Sequence, residues 1–301
     1  MNRYSLSLWT CLPLFLATSA YAQEDLLNLL DANSKPQINY TSATFKSTRI
    51  MNGQSVQRMP AGQLDFRISH RFGKLNSGPY NLYGLDQSTI RFSLEYGITN
   101  WLMAGAGRSS FEKTYDGFIK LSPIRQSTGA RVMPVSVSLF ASAALKTLKW
   151  PNPDQKNYFS SRLAYTYQVL IARKFSESLS LQLTPSLVHR NLTATELDPN
   201  DVYALGAGGR IKLSHRVSFN AEYYYVAKPV PNRSSTPLTN PLALGFDIET
   251  GGHVFQLIFT NSLSMIEKGF IGETTGQWKK GDIYFGFNIS RVFTVRRYDS
   301  H

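Results

Sequence analysis

The feature that most constrains the fold is a hydrophobic period of two residues that recurs along most of the chain. Leu64, Phe66 and Ile68 alternate with polar residues, and the same alternation returns in residues 90–98 and 179–187. Because the side chains of a β-strand point alternately to opposite faces, each such segment is predicted to be a strand with one apolar face and one polar face. A chain built of many such strands folds into a sandwich or a barrel.

Connection lengths separate these two architectures. The tight connections span residues 99–100, 176–178, 214–216 and 250–252. The longer connections span residues 74–85, 146–157, 190–200, 227–241 and 262–280. Outer-membrane barrels have short turns on the periplasmic side and longer loops outside, whereas a sandwich has no reason to sort its connections in this way. The pattern therefore favours an all-β fold, a closed antiparallel transmembrane β-barrel.

The same pattern predicts about twelve strands, with ten to fourteen as the range that it allows. We place them at residues 63–72, 87–98, 101–109, 114–122, 134–145, 158–174, 179–189, 202–213, 217–226, 242–249, 253–261 and 281–293. The weakest patterns are at 101–109, which is rich in Gly and Ala, and at the boundary between 114–122 and 134–145. An even number places both ends of the barrel on the periplasmic side, as closure requires.

The start of the chain is predicted to be an export signal. A short basic start precedes an apolar run at residues 6–17 that is too short to span a bilayer, and residues 20–22, Ala-Tyr-Ala, fit a cleavage site. A membrane anchor is the alternative. Cys11 is the only cysteine of the chain, so the exported protein is expected to have no disulfide and no Cys-based metal site.

The chain is thereby divided into four predicted regions. They are a signal peptide at 1–22, an N-terminal segment at 23–62, the barrel at 63–295 and a tail at 296–301. The N-terminal segment lies outside the strand count, and it either stays in the periplasm or folds into the barrel lumen as a plug. Within it, residues 24–30 are predicted to form a short helix, and residues 43–50 a strand that does not fit the parity.

The polar faces of the predicted strands carry charges of both signs, which the barrel would turn toward its interior. The predicted lumen-lining residues are Asp65, Arg67, Arg71, Arg91, Glu95, Asp116, Lys120, Arg162, Arg210, Lys212, Glu222, Asp247, Glu249 and Asp282. Opposite charges can cross-link into a closed lumen, or they can line a narrow aqueous path. A barrel of this size lies between filled barrels of roughly eight strands and open porins of about 16–18. We favour a narrow porin-like channel for small solutes, and the alternative is a structural or partner-binding barrel with a closed lumen.

The sequence predicts no catalysis, no cofactor and no metal site. A lipid-modifying barrel enzyme is the most distant alternative, and it would resemble the outer-membrane phospholipases, which place a His and a Ser two positions apart on one strand. His70, His189, His215 and His253 are not followed by such a Ser. There is also no His-x₃-His pair and no Asp-rich calcium loop.

The net charge of the chain and the sequence of its last predicted strand indicate the molecules with which the protein is expected to interact. The net charge is +12, but the chain shows no Lys/Arg block and no nucleic-acid-binding motif, so anionic lipid is a better partner than nucleic acid. The last strand resembles the C-terminal signal of barrel proteins through Gly286, Phe287, Ile289 and Phe293. We therefore expect a location in the outer membrane of a Gram-negative bacterium, with its lipids, the barrel-assembly machinery and a small solute as partners.

Five stretches of the chain carry a family resemblance. They are residues 43–50, 64–73, 83–87, 107–110 and 113–117. In these stretches the sequence resembles a family of β-barrel proteins of unknown function from the outer membranes of Bacteroidetes, and the resemblance extends over roughly residues 43 to 295. It implies an outer-membrane barrel and suggests that residues 43–50 belong to the domain. It brings no catalytic residues to carry over.

Overall fold

The structure is a computed structural model. It describes residues 37–193, 195–196, 198–227 and 238–296. The predicted signal peptide and the predicted helix at 24–30 lie outside the described residues and stay predictions.

Within the described residues, twelve strands form a closed antiparallel barrel, as the sequence predicts. Two further strands, β1 and β6, form a separate small sheet that is described below. The barrel strands are β2 (Gln63–Lys74), β3 (Ser88–Gly97), β4 (Leu102–Ser109), β5 (Thr114–Ile124), β7 (Ser136–Lys146), β8 (Leu163–Lys174), β9 (Leu179–Arg190), β10 (Asp201–Lys212), β11 (Val217–Val226), β12 (Leu242–Thr250), β13 (His253–Thr260) and β14 (Tyr284–Thr294). The barrel closes through β14, which pairs antiparallel with β2 from Thr294 opposite Gln63 onward.

The barrel is apolar outside and polar inside, which confirms the predicted alternation. In β9, Leu181 and Leu183 are 46% and 51% exposed, whereas Gln182 and Thr184 between them are each only 2% exposed. A sheet that closes on itself leaves no unpaired edge, and its outward apolar rows suit contact with hydrocarbon. Among the described residues, no helix has the length and apolar character needed to cross a membrane.

The two ends of the barrel differ. Tight turns after β3, β8, β10 and β12 lie at one end, which we call the turn end, and β2 begins and β14 finishes there. The opposite end, the loop end, carries the longer connections, together with the short link at residues 110–113 between β4 and β5. One connection at the turn end is long: residues 125–135 join β5 to β7. Its length has a structural reason, because it contains β6 (Ser127–Gly129), which pairs with β1 (Ile38–Tyr40). Residues 37–39 and 128–132 form a small compact unit of their own.

Two segments occupy the barrel interior. The plug segment, residues 43–57, is buried almost throughout, and the inward loop, residues 261–274, includes the short buried helix α1 (Glu267–Gly272). The predicted strand at 43–50 is wrong. These residues form bends with one isolated bridge, from Arg49 to Gln54, because their main-chain groups bind side chains of the barrel wall instead of a neighbouring strand.

Candidate functional site

A carboxylate on the barrel wall holds the central turn of the plug segment. The Glu222 side chain on β11 accepts hydrogen bonds from three successive main-chain N–H groups, those of Met51 (3.3 Å), Asn52 (2.7 Å) and Gly53 (3.1 Å). Gly53 is needed at this turn, because a Cβ atom there would overlap the hydroxyl of the buried Tyr224. The turn is therefore fixed both by charge and by the absence of a side chain.

A buried ammonium binds the plug segment from another side of the lumen. The Lys120 Nζ on β5 donates to the main-chain carbonyls of Thr48 (3.3 Å), Ser55 (3.0 Å) and Gln57 (2.9 Å). Since an ammonium has three donors and no acceptor, all three N–H groups of this fully buried side chain are used on the plug main chain. These hydrogen bonds offset part of the cost of burying the charge.

Neutral amides of the wall complete the contacts with the plug main chain. The Gln182 side chain donates to the carbonyl of Gln54 (2.7 Å) and accepts from the N–H of Val56 (2.9 Å). Three further wall side chains donate to plug carbonyls. These are Gln256 to Ile50 (2.9 Å), Asn288 to Met51 (3.2 Å) and Arg210 to Ala43 (3.1 Å). Six wall residues in all bind the plug through its main chain.

An ionic cluster links the plug segment to the wall and to the inward loop. The Arg49 guanidinium lies 2.9 Å from a Glu267 carboxylate oxygen on α1 and 3.7 Å from one of Glu95 on β3. Burial by itself would lower the pKa of Arg49, but the charges of Glu267, Glu95 and Asp116 outweigh it and hold that pKa above its ordinary value. The Thr48 hydroxyl donates to Glu95 at 2.5 Å. The two segments inside the barrel are thus joined at Arg49.

Some charges of the wall pair with each other. Arg67 lies 2.7 Å from Asp65, and Arg91 lies 2.5 Å from Asp116. Arg67 also donates to the hydroxyl of Ser47 in the plug segment, at 2.9 Å. Cross-linking of the wall and binding of the plug therefore coexist in one lumen.

A second charged cluster lies at the loop end. Glu112 precedes β5 and accepts hydrogen bonds from Lys146 (2.5 Å) and from Lys268 of the inward loop (2.9 Å), and Lys268 also pairs with Glu273 (2.8 Å). Burial works to raise the pKa of Glu112, but the charge of Lys268 and the hydrogen bonds from both lysines outweigh it. The pKa of Glu112 therefore lies below its ordinary value of 4.5. This cluster ties the inward loop to the mouth of the barrel.

Apolar contacts differ between the two segments. The inward loop places Phe270 and Ile271 of α1 into one cluster with the wall, formed with Val188, Val202, Ala204, Tyr224 and Val226. The plug segment contributes to two smaller clusters, one of Phe45, Ile50, Val56, Leu170 and Ala172 and one of Met51, Ala243 and Ile258. The inward loop thus packs against a mainly apolar part of the wall, whereas the plug combines two smaller apolar clusters with many polar contacts.

Most of the predicted lumen residues do face the interior. They are Asp65, Arg67, Arg71, Arg91, Glu95, Asp116, Lys120, Arg210, Glu222 and Asp247. Lys212 and Glu249 lie at the turn end and are partly exposed, and Glu249 pairs there with Lys46 at 2.5 Å.

The prediction of a lumen-lining position is wrong for two residues, Arg162 and Asp282. Arg162 belongs to a 3₁₀-helix before β8, so the alternation of inward and outward side chains along a strand does not apply to it. Its guanidinium donates to the Lys146 carbonyl at the loop end (2.9 Å). Asp282 precedes β14 in the same way. A hydrogen bond from Lys74, with others from the Gln277 main chain and from a neighbouring Asn, lowers the pKa of Asp282 to about 2.

The residues of the predicted assembly signal lie on β14. Phe287 and Ile289 point outward, and Phe293 is exposed near the end of the strand. Gly286 lies against β2, where a Cβ would overlap the His70 carbonyl, and this gives the glycine a packing reason of its own. Recognition by the assembly machinery stays a prediction.

Several residues of this site were missed by sequence reasoning. Gln182, Gln256 and Asn288 stand on polar rows of the strands, so a count that included neutral amides would have found them. Arg49 and Glu267 lie outside the barrel strands, and no sequence signal places them in the lumen. Among the described residues, no group of three or more His, Cys, Asp or Glu side chains could hold a metal ion.

Comparison with known proteins gives one family and several distant folds. Residues 45–293 match the model of a family described as "Membrane bound beta barrel domain (DUF5777)". No curated protein sequence matches the chain.

Three solved structures show the extent of the structural likeness. The NanC porin is similar over 78% of this chain and 100% of its own, at 10% identity and a TM-score of 0.47. An outer membrane channel from Pseudomonas putida F1 is similar over 79% and 98%, at 11% identity and a TM-score of 0.44. The KdgM porin is similar over 77% and 99%, at 10% identity and a TM-score of 0.43.

Proposed function

Because this chain belongs to that membrane-bound β-barrel family, we propose that it is an outer-membrane channel for small solutes that the plug segment closes at rest. In this proposal the protein reaches the outer membrane of a Gram-negative bacterium after loss of residues 1–22. It has no catalytic role. Opening requires the plug segment to leave its contacts with the wall and the inward loop to shift.

One observation carries the proposal: the wall binds the plug segment mainly through polar groups that water can replace. Glu222, Lys120 and Gln182 each bind plug main-chain atoms, and all three would face water in an open lumen. The net free energy of such a hydrogen bond is about 0.5–1.5 kcal/mol, or roughly 1.5–3 kcal/mol to a charged group, because water offers a competing partner. A plug held in this way can be released, unlike one held by an extensive apolar core.

The experiment is a planar-bilayer measurement with the full chain. We expect rare openings of the wild-type protein and at least about tenfold more frequent openings of Gly53→Ala, whose new Cβ displaces the plug turn from Tyr224. Gly251→Ala is the matched control, because a Cβ at that turn meets no neighbouring atom.

A positive control shows that the barrel has inserted. Asn261 donates to the Gly276 carbonyl at 2.8 Å, so the two ends of the inward loop meet and a short Gly-Ser linker can replace residues 262–275. This replacement, combined with deletion of residues 23–62, is expected to conduct continuously. If it conducts while wild type and Gly53→Ala stay silent, the channel proposal is wrong.

That silent result would support the second candidate, a structural or partner-binding barrel with a closed lumen. The observation that favours it is the apolar packing of Phe270 and Ile271 against the wall, together with the wall-to-wall pair of Arg91 and Asp116. Such contacts stabilise a filled barrel whether or not a solute ever passes.

A further inference from the structure

The wall of the lumen recognises a polypeptide main chain. We propose that the solute bound in the open lumen is a short peptide with apolar side chains, and that the plug segment occupies its site as a tethered substitute. This inference rests on the proposed channel function and names its substrate class.

The charged groups of the wall each bind only one kind of hydrogen-bonding partner. A carboxylate only accepts and an ammonium only donates, so Glu222 requires donors such as N–H groups and Lys120 requires carbonyls or other acceptors. Three successive N–H groups face Glu222, and three carbonyls face Lys120. A small anion would satisfy only Lys120 and a small cation only Glu222, whereas a peptide offers both kinds of group along one chain.

Gln182 binds an acceptor and a donor that are close together in the plug main chain. Its side-chain amide donates to the carbonyl of Gln54 and accepts from the N–H of Val56, two residues further on. A side-chain amide has the same paired groups as a peptide bond, so this contact copies the pairing of two strands. None of these bonds uses a plug side chain, so a peptide of another sequence presents the same groups.

The wall also leaves room for apolar side chains beside the plug main chain. Gly208 on β10 leaves the space that Ile50 fills, and Gly245 on β12 lies against the sulfur of Met51; a Cβ at either glycine would overlap these side chains. Leu170 on β8 belongs to the apolar cluster that also contains Ile50. Polar groups for the main chain and small residues for apolar side chains together fit a peptide better than a sugar.

The experiment uses full-length Gly53→Ala in planar bilayers and an acetylated, amidated heptapeptide with the sequence of residues 49–55. The expected result is block of the current by this peptide, and by an unrelated heptapeptide with apolar residues at its second and third positions. Two probes test the chemistry. One probe is the first peptide, N-methylated at the three amides that would face Glu222, and the other is maltotriose. Each should block the current only at a concentration about tenfold or more higher than that of the unmodified peptide. Block at equal concentrations by either probe would overturn the proposal.

A substitution in the barrel wall tests whether the peptide binds at Glu222. Glu222→Gln, placed in the Gly53→Ala background, should reduce the difference between the unmodified and the N-methylated peptide to less than about threefold. Glu177→Gln is the matched control, because Glu177 lies in an exposed turn where it pairs with Lys174. An unchanged difference in Glu222→Gln would show that the peptide is not bound at this carboxylate.

A second measurement keeps the peptide proposal separate from the channel proposal. Hydrogen exchange of residues 45–57 in the wild-type protein should accelerate when the unmodified peptide is added, because the peptide competes for the wall, and it should not respond to the N-methylated peptide. If no variant conducts but exchange accelerates in this way, the channel function fails and peptide binding stands. If Gly53→Ala conducts but the peptide neither blocks nor accelerates exchange, only the peptide inference fails.

Discussion

Glu222→Gln provides the sharpest test of how the plug segment is held. The substitution preserves the size of the side chain but replaces one acceptor oxygen by a donor NH₂ group and removes the negative charge. Three plug N–H groups, those of Met51, Asn52 and Gly53, then share a single neutral oxygen. The bound state of the plug is expected to lose free energy, while the released state, in which residue 222 faces water, loses little.

The size of the loss can be worked from these contacts. A hydrogen bond to a charged acceptor contributes roughly 1.5–3 kcal/mol net, and a neutral bond is about half as strong. With one bond lost and two weakened, the lower end of this range gives about 3 kcal/mol. At 1.4 kcal/mol per factor of ten, release of the plug becomes roughly 100-fold more populated.

The assay is amide hydrogen exchange in detergent micelles, followed by mass spectrometry of the peptide that covers residues 45–57. Exchange through local opening reports the free energy of that opening, so these amides should exchange roughly 100-fold faster in Glu222→Gln. Glu177→Gln makes the same chemical change at an exposed turn and should leave the rate unchanged. An acceleration below about fivefold, equivalent to about 1 kcal/mol, would refute the view that Glu222 is a main anchor of the plug.

Three further predictions address the same interior. Gly53→Ala should accelerate exchange of the plug segment by at least about tenfold, while Gly251→Ala should not, because only the first Cβ meets a buried side chain. Because the pKa of Glu112 is lowered, its ionised side chain should hold the inward loop fully above about pH 4.5 and release it as the pH falls through the lower folded pKa. Channel openings recorded from about pH 7 to about pH 3 should therefore increase in that acid range. Glu112→Gln should abolish this pH-dependent increase. Arg49→Met and Glu267→Gln should be coupled by about 0.5–3 kcal/mol in a double-mutant cycle, measured by plug exchange.

Each of these predictions has an outcome that contradicts it. Equal exchange rates in the two glycine variants would show that the plug turn adjusts to a side chain at residue 53. A pH response that persists in Glu112→Gln would assign the acid step to another group. Additive effects of the Arg49 and Glu267 substitutions would show that the plug segment and the inward loop move independently.

The sequence could predict much of the barrel, but the prediction failed for residues just before the start of two strands. Strand parity correctly placed Glu95, Lys120 and Glu222 on the inner face, because alternation is a property of each strand by itself. It misplaced Arg162 and Asp282, since the regular strand begins after each of them. The hairpins form between strands that are close in sequence, so turn positions and strand number follow from local patterns as well.

The sequence by itself determined a closed barrel that is apolar outside and polar inside, because a period of two is repeated in strand after strand. Only the tertiary structure decided what the polar face binds. Arg49 meets Glu267, which is 218 residues away, and Lys120 meets the main chain of Thr48 across the lumen. Such pairs depend on where the closed barrel brings distant strands and the two interior segments together, and no local pattern in the chain encodes that arrangement.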